Sequence, residues 1–179
     1  MTLGKAIKMG KNGRIEDWVH EYLMQPHPAG NVGFSEGLKR AKRYWIGPVK
    51  IDLSVLIQIC GPSRKYRFHE NKRTWDLRIK ENIKKLKCNE NPPPLIVEYK
   101  KKRLLIADGN HRFAALRDFG VDKYWVILWF NSKNDYEKYM HDNHVKGVTH
   151  VLPDNRRGSI RKINNGRTST ERTSRNGLS

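Results

Sequence analysis

The sequence predicts a mixed α/β fold, a single domain in which helices flank a small mixed sheet. Three observations predict it. Short apolar runs bounded by Pro and Gly alternate with one long amphipathic segment. A chain of 179 residues is long enough for one hydrophobic core but short for two. Apolar residues become rare after Pro153, so the core lies before that residue. We therefore expect an N-terminal extension at 1–43, the domain at 44–131, a helical segment at 132–152 and a disordered basic tail at 153–179.

The balance of charge is strongly positive. Lys and Arg number 36 and Asp and Glu number 18, so the formal net charge is +18. Such a charge attracts polyanions by a salt-sensitive electrostatic force, and nucleic acid, DNA in particular, is the expected partner. A membrane surface is the lesser alternative, because no apolar run approaches the ~20 residues that span a bilayer. Since no apolar signal core begins the chain, we expect a cytoplasmic protein.

The first part of the chain shows few regular elements. Apolar positions at 18–23 predict one short amphipathic helix in the extension, and the Pro- and Gly-rich residues at 26–37 predict a loop. The run at 49–53 predicts a strand. A helical turn that Ser54 caps is expected next, ended by the Gly-Pro pair at 61–62.

Regular elements dominate from residue 72 onward. Trp75, Ile79, Ile83 and Leu86 recur three or four residues apart and predict one face of a helix at 72–87. The elements expected after it are a strand at 95–99, a basic hairpin tip at 100–103, a strand at 104–108, a helix at 111–119 closed by Gly120, a strand at 124–130 and a helix at 135–144.

The two cysteines are expected to remain thiols. Cys60 and Cys88 fall in different predicted elements, and a reducing compartment keeps such cysteines reduced. No CxxC pair is present, so a zinc site would need histidines such as His141 and His144. We interpret both cysteines as small buried apolar residues instead.

The turn from Asp108 to Arg112 carries the strongest chemical signal. A strand that ends in Asp-Gly and opens directly into a helix exposes the first free N–H groups of that helix, where anions bind. Gly109 permits a sharp turn and the close approach of a ligand, while His111 and Arg112 add donors that can grip a phosphate. The alternative is an ordinary connection in which Asp108 caps the helix and both basic side chains are solvated.

Residues 109–116, with the sequence GNHRFAAL, resemble the signature loop and helix of the ParB/sulfiredoxin superfamily. Residues 51–56, 64–70 and 93–97 resemble, in order, its opening strand and turn, the ParB box and the start of its central strand. The resemblance implies nucleotide phosphates lying over Gly109, Asn110, His111 and Arg112. Asn110 stands where sulfiredoxins carry their catalytic Cys, so sulfinic-acid reduction is not expected.

The match to ParB proteins proper is partial. They carry a further Arg two positions after the one that Arg112 matches, and this chain has Ala114 there. Residues after Asn131 are too few and too polar to form a helix-turn-helix. The resemblance therefore does not extend to a CTP-dependent partition clamp.

The turn also resembles the Asp-Gly-His-His-Arg turn of ADP-dependent free-serine kinases, and Glu70 matches an acidic residue before the preceding helix of that family. This resemblance implies Glu70 as general base, Asp108 as the holder of Mg²⁺, and His111 and Arg112 as groups that neutralise the phosphates of a nucleoside di- or triphosphate. In the alternative, Glu70 is an exposed carboxylate favoured by the helix dipole.

A basic loop precedes Glu70. The family geometry places Arg64, Lys65 and Arg67 near the same pocket, so they are expected to contact phosphate or nucleic acid. Aromatic residues, among them Tyr66 and Trp75, lie between and beyond these charges, a composition suited to stacking on bases. We expect Trp75 in the core and leave both possibilities open for Tyr66.

Three functions remain open. The first is a nucleic-acid-associated ParB-like protein that binds a nucleotide or phosphodiester at the turn, with nuclease or phosphohydrolase activity through Glu70, Asp108 and His111. The second is a nucleotide-dependent phosphotransferase, and the third is a module that binds a nucleotide without cleaving it. The net charge of +18 favours the first, because a small-molecule kinase does not need it.

Overall fold

The computed structural model describes residues 1–26 and 30–144, and the expected tail at 153–179 lies outside them. Its helices are α1 (Leu3–Lys11), α2 (Ile15–Leu23), α3 (Val32–Lys39), α4 (Lys72–Lys87), α5 (Asn110–Asp118) and α6 (Lys133–His144). Its strands are β1 (Tyr44–Asp52), β2 (Leu56–Gln58), β3 (Cys60–Gly61), β4 (Phe68–His69), β5 (Leu95–Lys100), β6 (Arg103–Asp108) and β7 (Lys123–Phe130). None of the described helices is long and apolar enough to cross a membrane.

The centre of the fold is a mixed five-stranded sheet with the strand order β1-β7-β5-β6-β2. The β1–β7 and β5–β6 pairs are antiparallel, whereas the β5–β7 and β2–β6 pairs are parallel. Strands β3 and β4 form a separate small parallel pair. The expected mixed sheet with flanking helices is therefore confirmed.

Alternate side chains of the central strands fill two cores, one on each face of the sheet. Val97 of β5 and Leu128 of β7 are buried on the face covered by α5 and α6. Their neighbours Ile96, Ile127 and Trp129 are buried on the other face, against the N-terminal helices. Because side chains alternate along a strand, nearly continuous apolar runs in β5 and β7 indicate strands covered on both faces.

The N-terminal extension is more ordered than the sequence predicts. One short helix was expected there, and three helices form a layer that shares a core with the sheet. Glycines and lysines obscure the apolar pattern of α1. Gly10 is buried so close to the sheet that a Cβ there would lie 2.6 Å from the carbonyl oxygen of Gly47. Side chains of Thr2 and Asn31 cap α1 and α3. Tertiary packing thus overrides a weak local propensity.

The expected helical turn after residue 53 is also corrected. Only a single 3₁₀ turn forms, at Leu53–Val55, and Asp52 rather than Ser54 caps it, accepting a hydrogen bond from the Ser54 amide at 2.8 Å. The chain then continues as β2, whose apolar residues pair with β6 in the sheet. Helix α4 has the expected bounds, and the elements that follow it agree with expectation to within two residues.

Candidate functional site

The turn between β6 and α5 presents an open helix N-terminus. Gly109 precedes the helix with φ of +95° and has no side chain to cap it. Its carbonyl oxygen accepts the hydrogen bond of the Phe113 amide at 2.9 Å, which leaves the amides of Asn110, His111 and Arg112 without a backbone acceptor in the described part of the chain. Contrary to the alternative weighed from sequence, Asp108 does not cap this helix.

Asp108 and Arg112 bind each other. Nη2 of Arg112 lies 2.5 Å from Oδ2 of Asp108, and its Nη1 donates to the carbonyl oxygen of Pro93 at 3.2 Å. The guanidinium lies over Gly109 and packs against the ring of Tyr22 in α2, with 5.2 Å between the guanidinium carbon and the ring centroid. The Arg112 side chain is therefore buried on the side of the N-terminal helices, away from His111.

Asn110 holds the turn against the neighbouring chain segment. Its Oδ1 accepts hydrogen bonds from the amides of Ile59 at 3.1 Å and Cys60 at 3.2 Å, and its Nδ2 donates to the carbonyl oxygen of Ile106 at 3.0 Å. The residue is 7% exposed. Its side chain therefore fixes where α5 begins relative to β2 and β3, while its own amide stays free.

Glu70 and His111 meet on the other side of the α5 start. Oε2 of Glu70 lies 2.7 Å from Nε2 of His111, although both residues retain about a fifth of their side-chain exposure, 22% and 20%. The carboxylate does not lie along the ring N–H direction, so the buried Nε2 has no well-aligned hydrogen bond. The Trp75 ring covers the imidazole with a centroid separation of 4.4 Å. The expected core position of Trp75 is thus confirmed.

Two further groups approach the Glu70 carboxylate. Nε of Arg78, two turns along the chain in α4, lies 3.9 Å from Oε1, and Sγ of Cys60 lies 3.8 Å from Oε2. Sequence reasoning missed both contacts. The spacing of eight residues between Glu70 and Arg78 was the signal that could have indicated the first, whereas nothing local indicates the second or the contact of Arg112 with Tyr22.

The environment of these groups sets their protonation. Burial lowers the pKa of His111 below its ordinary value, and the Glu70 carboxylate opposes this by raising it. A neutral imidazole whose Nε2–H faces Glu70 keeps Nδ1 as a proton acceptor. Burial, aided by Glu70, raises the pKa of the Cys60 thiol, which therefore stays protonated.

The basic loop flanks this site without touching it. Arg64, Lys65 and Arg67 are exposed, and no hydrogen bond or ion pair joins them to Glu70 or His111 in the described residues. A backbone hydrogen bond holds the end of the loop beside the site, because the Glu70 amide donates to the carbonyl oxygen of Gly61 at 3.0 Å.

Two aromatic residues of the loop sit beneath cations. Tyr66 lies over Gly61, with the ammonium of Lys65 5.3 Å from its ring centroid. Phe68 is 51% exposed, and the guanidinium carbon of Arg67 lies 5.1 Å from its centroid. The exposed ring of Phe68 is available for stacking.

Asp108, the residue expected to hold Mg²⁺, pairs with Arg112. No group of three or more His, Cys, Asp or Glu side chains that could hold a metal ion by themselves occurs in residues 1–26 and 30–144. The lack of such a group in these residues also gives no support to a zinc site built from cysteines and histidines. Cys60 is half-buried and Cys88 is exposed at the end of α4, so the expectation that both are buried is wrong.

Two shallow depressions lie elsewhere, along α4. One, of about 430 Å³, is lined by Lys72, Arg73, Asp76, Leu77 and Lys80. The other, of about 330 Å³, is lined by Glu81, Lys84, Lys85, Cys88 and Glu90. Neither depression is lined by residues of the turn.

Comparison with solved structures finds several similar chains, two of which are described here. No protein-family model and no curated protein matches the chain. A sulfiredoxin from Arabidopsis thaliana is similar over 51% of this chain and 94% of its own, with 15% identity and a TM-score of 0.37. A free serine kinase in complex with AMP is similar over 49% of this chain and 32% of its own, with 17% identity and a TM-score of 0.33.

Proposed function

We propose that the chain binds a phosphate group of nucleic acid, or of a nucleotide, at the start of α5, and that Glu70 and His111 act on it as a general acid–base pair. One observation carries the proposal. Glu70 Oε2 lies 2.7 Å from His111 Nε2 directly beside a helix N-terminus that has no side-chain cap. Free amides at a helix start favour an anion, and a carboxylate–imidazole pair can move a proton there.

The pair divides the chemical roles between its members. Glu70 orients the imidazole and stabilises the positive charge that forms on it. Nδ1 of His111 then accepts a proton from a water molecule that attacks phosphorus, and the bond from phosphorus to the leaving oxygen breaks as that oxygen takes up a proton from bulk water. His111 afterwards releases its proton to the solvent, which restores the neutral imidazole. The amides of His111 and Arg112 stabilise charge on the phosphoryl oxygens. This is hydrolysis of a phosphodiester or a phosphoanhydride.

The surroundings favour a long anion over a small enclosed one. Exposed cations of the basic loop flank the site, and Phe68 offers an exposed ring within that loop. The formal net charge of +18 adds a field that attracts a polyanion. We therefore rank nucleic acid, with DNA first, above a free nucleotide. A nucleoside di- or triphosphate would bring its own Mg²⁺.

Binding without turnover is the second candidate. The mutual pairing of Asp108 and Arg112 favours it, because two groups expected to hold metal and phosphate are engaged with each other. In that case the α5 amides hold the anion and Glu70 only positions His111. A phosphotransferase would differ from the first candidate in its acceptor, a hydroxyl in place of water.

The test compares Glu70→Gln with Glu81→Gln, a matched change of an exposed glutamate on α4. The ligands are duplex DNA, single-stranded DNA and a panel of nucleotides, each with and without Mg²⁺. Binding is measured by fluorescence anisotropy and thermal shift, and products are identified by chromatography. The proposal expects Glu70→Gln to reduce turnover at least about 100-fold with little change in Kd, and Glu81→Gln to resemble the wild type. Binding without products establishes the second candidate, and a product phosphorylated on a hydroxyl establishes the phosphotransferase. If no nucleic acid and no nucleotide binds, the proposed function is wrong.

A further inference from the structure

A second basic surface lies at the opposite end of the sheet from the α5 start. The strand register places Tyr44, Phe130, Tyr99 and Leu104 in one row across β1, β7, β5 and β6. Six cations lie just beyond this row and form what we call the basic ledge: Lys42 and Arg43 before β1, and Lys100, Lys101, Lys102 and Arg103 at the β5–β6 hairpin.

The dimensions of the ledge suit an extended anion. From β1 to β6 there are three strand spacings, roughly 14 Å, and a nucleic-acid strand carries one phosphate per ~3.4 Å of duplex axis. The ledge therefore spans about four phosphates. It is separated from Asp108 by the length of β6, about 17 Å, so an anion bound there need not touch Glu70 or His111.

Most of the charge of the ledge is free to meet a partner. Lys100 to Arg103 are exposed and form no ion pair with any described residue. Arg43 packs over Trp129 and donates to Asn131, which in turn donates to the nearby carboxylate of Glu98 at 2.9 Å.

The acidic residues of α6, which begins at the same end of the sheet, are already engaged. Glu137 pairs with Lys133 at 2.9 Å, and Asp135 accepts a hydrogen bond from Ser132 at 3.0 Å. The ledge thus keeps a large excess of positive charge.

The two central positions of the β5–β6 turn are occupied by lysines, although other residues would make the turn more stable. Lys100 pairs with Arg103, so the turn has two central residues, and both have left-handed φ values, 50° for Lys101 and 61° for Lys102. Asn-Gly is the favoured pair for such a turn, because a longer side chain is strained there. Two lysines at these positions lower stability but double the charge that the tip presents.

We propose that the basic ledge binds the phosphate backbone of duplex DNA, independently of base sequence, and holds the protein on the duplex. The ledge offers ammonium and guanidinium groups and, among its own residues, no aromatic ring, so its contacts suit a backbone more than unstacked bases. The proposal relies on the proposed function only for nucleic acid as partner, and it assigns that partner to a different surface.

The test uses the full chain with Lys101→Asn and Lys102→Gly combined. The control combines Lys80→Gln and Lys84→Gln, which removes the same charge from exposed positions of α4. Binding to a duplex oligonucleotide is measured by anisotropy between 0.05 and 0.2 M salt, roughly the range over which such contacts weaken. Thermal unfolding and sedimentation with anionic phospholipid vesicles are measured on the same proteins.

The ledge variant is expected to unfold at a higher temperature, by about 3 °C or more, while the slope of log K against log salt becomes shallower by about 2. The α4 control is expected to change that slope by less than half as much. Equal slopes in the two variants would show that only net charge matters, and an unchanged slope in the ledge variant would show that the ledge makes no contact. Stronger binding to vesicles than to DNA would assign the ledge to a membrane surface. Each of these results overturns the inference, and none of them depends on whether Glu70→Gln loses turnover.

Discussion

Replacing Asn110 by Ala removes the side chain that fixes the start of α5. Three hydrogen bonds are lost, to the amides of Ile59 and Cys60 and to the carbonyl oxygen of Ile106. Each contributes about 1 kcal/mol net, and stranding a buried amide adds roughly 1 kcal/mol or more. Because Asn110 is 7% exposed, water replaces little of this bonding. We expect the free energy of unfolding to fall by about 3 to 4 kcal/mol.

Equilibrium unfolding in urea measures this loss, and two variants calibrate it. Asn110→Asp keeps acceptors for both amides but sets a buried carboxylate oxygen against the Ile106 carbonyl oxygen, so its cost should fall as the pH is lowered and the carboxyl group takes up a proton. Asn82→Ala removes one bond to a helix carbonyl, from Nδ2 to the Arg78 oxygen at 2.7 Å, and should change stability by less than about 0.5 kcal/mol, since Ala is the better helix former. If Asn110→Ala costs under about 1 kcal/mol, or no more than Asn82→Ala, the role assigned to this side chain is refuted.

Three further predictions concern the same turn. Gly109→Ala should lower the free energy of unfolding in urea by about 1 to 3 kcal/mol more than Gly120→Ala. Both residues have positive φ, but only at Gly109 would a Cβ meet Arg112 and Leu95, at 2.7 and 2.9 Å. Equal losses would show that the close packing does not matter. Burial lowers the pKa of His111 from 6.5, so the unfolded chain binds the proton more readily than the folded chain does. Stability should therefore fall as the pH drops below 6.5 toward the lowered pKa. Stability that is constant from pH 7.5 to 5 would contradict this. Glu70→Gln removes a group that raises the same pKa, so the NMR titration of His111 should move to lower pH, and an unchanged titration would mean that the two groups do not interact.

The sheet and the helices on one of its faces could be predicted because their signals are local. The periodicity of α4, the prolines before β5 and the Asp-Gly turn each act within a few residues, and the structure places those elements where expected. Of the N-terminal layer the sequence predicted only α2, whereas α1 and α3 escaped prediction because they are stabilised by packing around Ile96, Ile127 and Trp129, which are distant in sequence. Helix propensity alone is weak in a segment containing Gly4, Gly10 and Gly33.

The candidate site shows the same division. The family resemblance implied that Glu70 and the turn belong to one site, and the structure brings Glu70 to within 2.7 Å of His111. The partners of Arg112 could not be foreseen, because the Pro93 carbonyl and the Tyr22 ring come from segments brought together only by folding. A motif indicates which residues gather at a turn, whereas the surrounding core decides which of them stay free for a ligand.

The central claim is that the start of α5 holds a phosphate beside Glu70 and His111. The most direct measurement is a ¹H–¹⁵N NMR titration of the Lys101→Asn, Lys102→Gly protein, which lacks the hairpin charges, with a short single-stranded oligonucleotide. The account predicts that the amides of residues 110–112 shift most and that the bound phosphate raises the pKa of His111. Shifts confined to other surfaces, with those amides and the His111 titration unchanged, would contradict it.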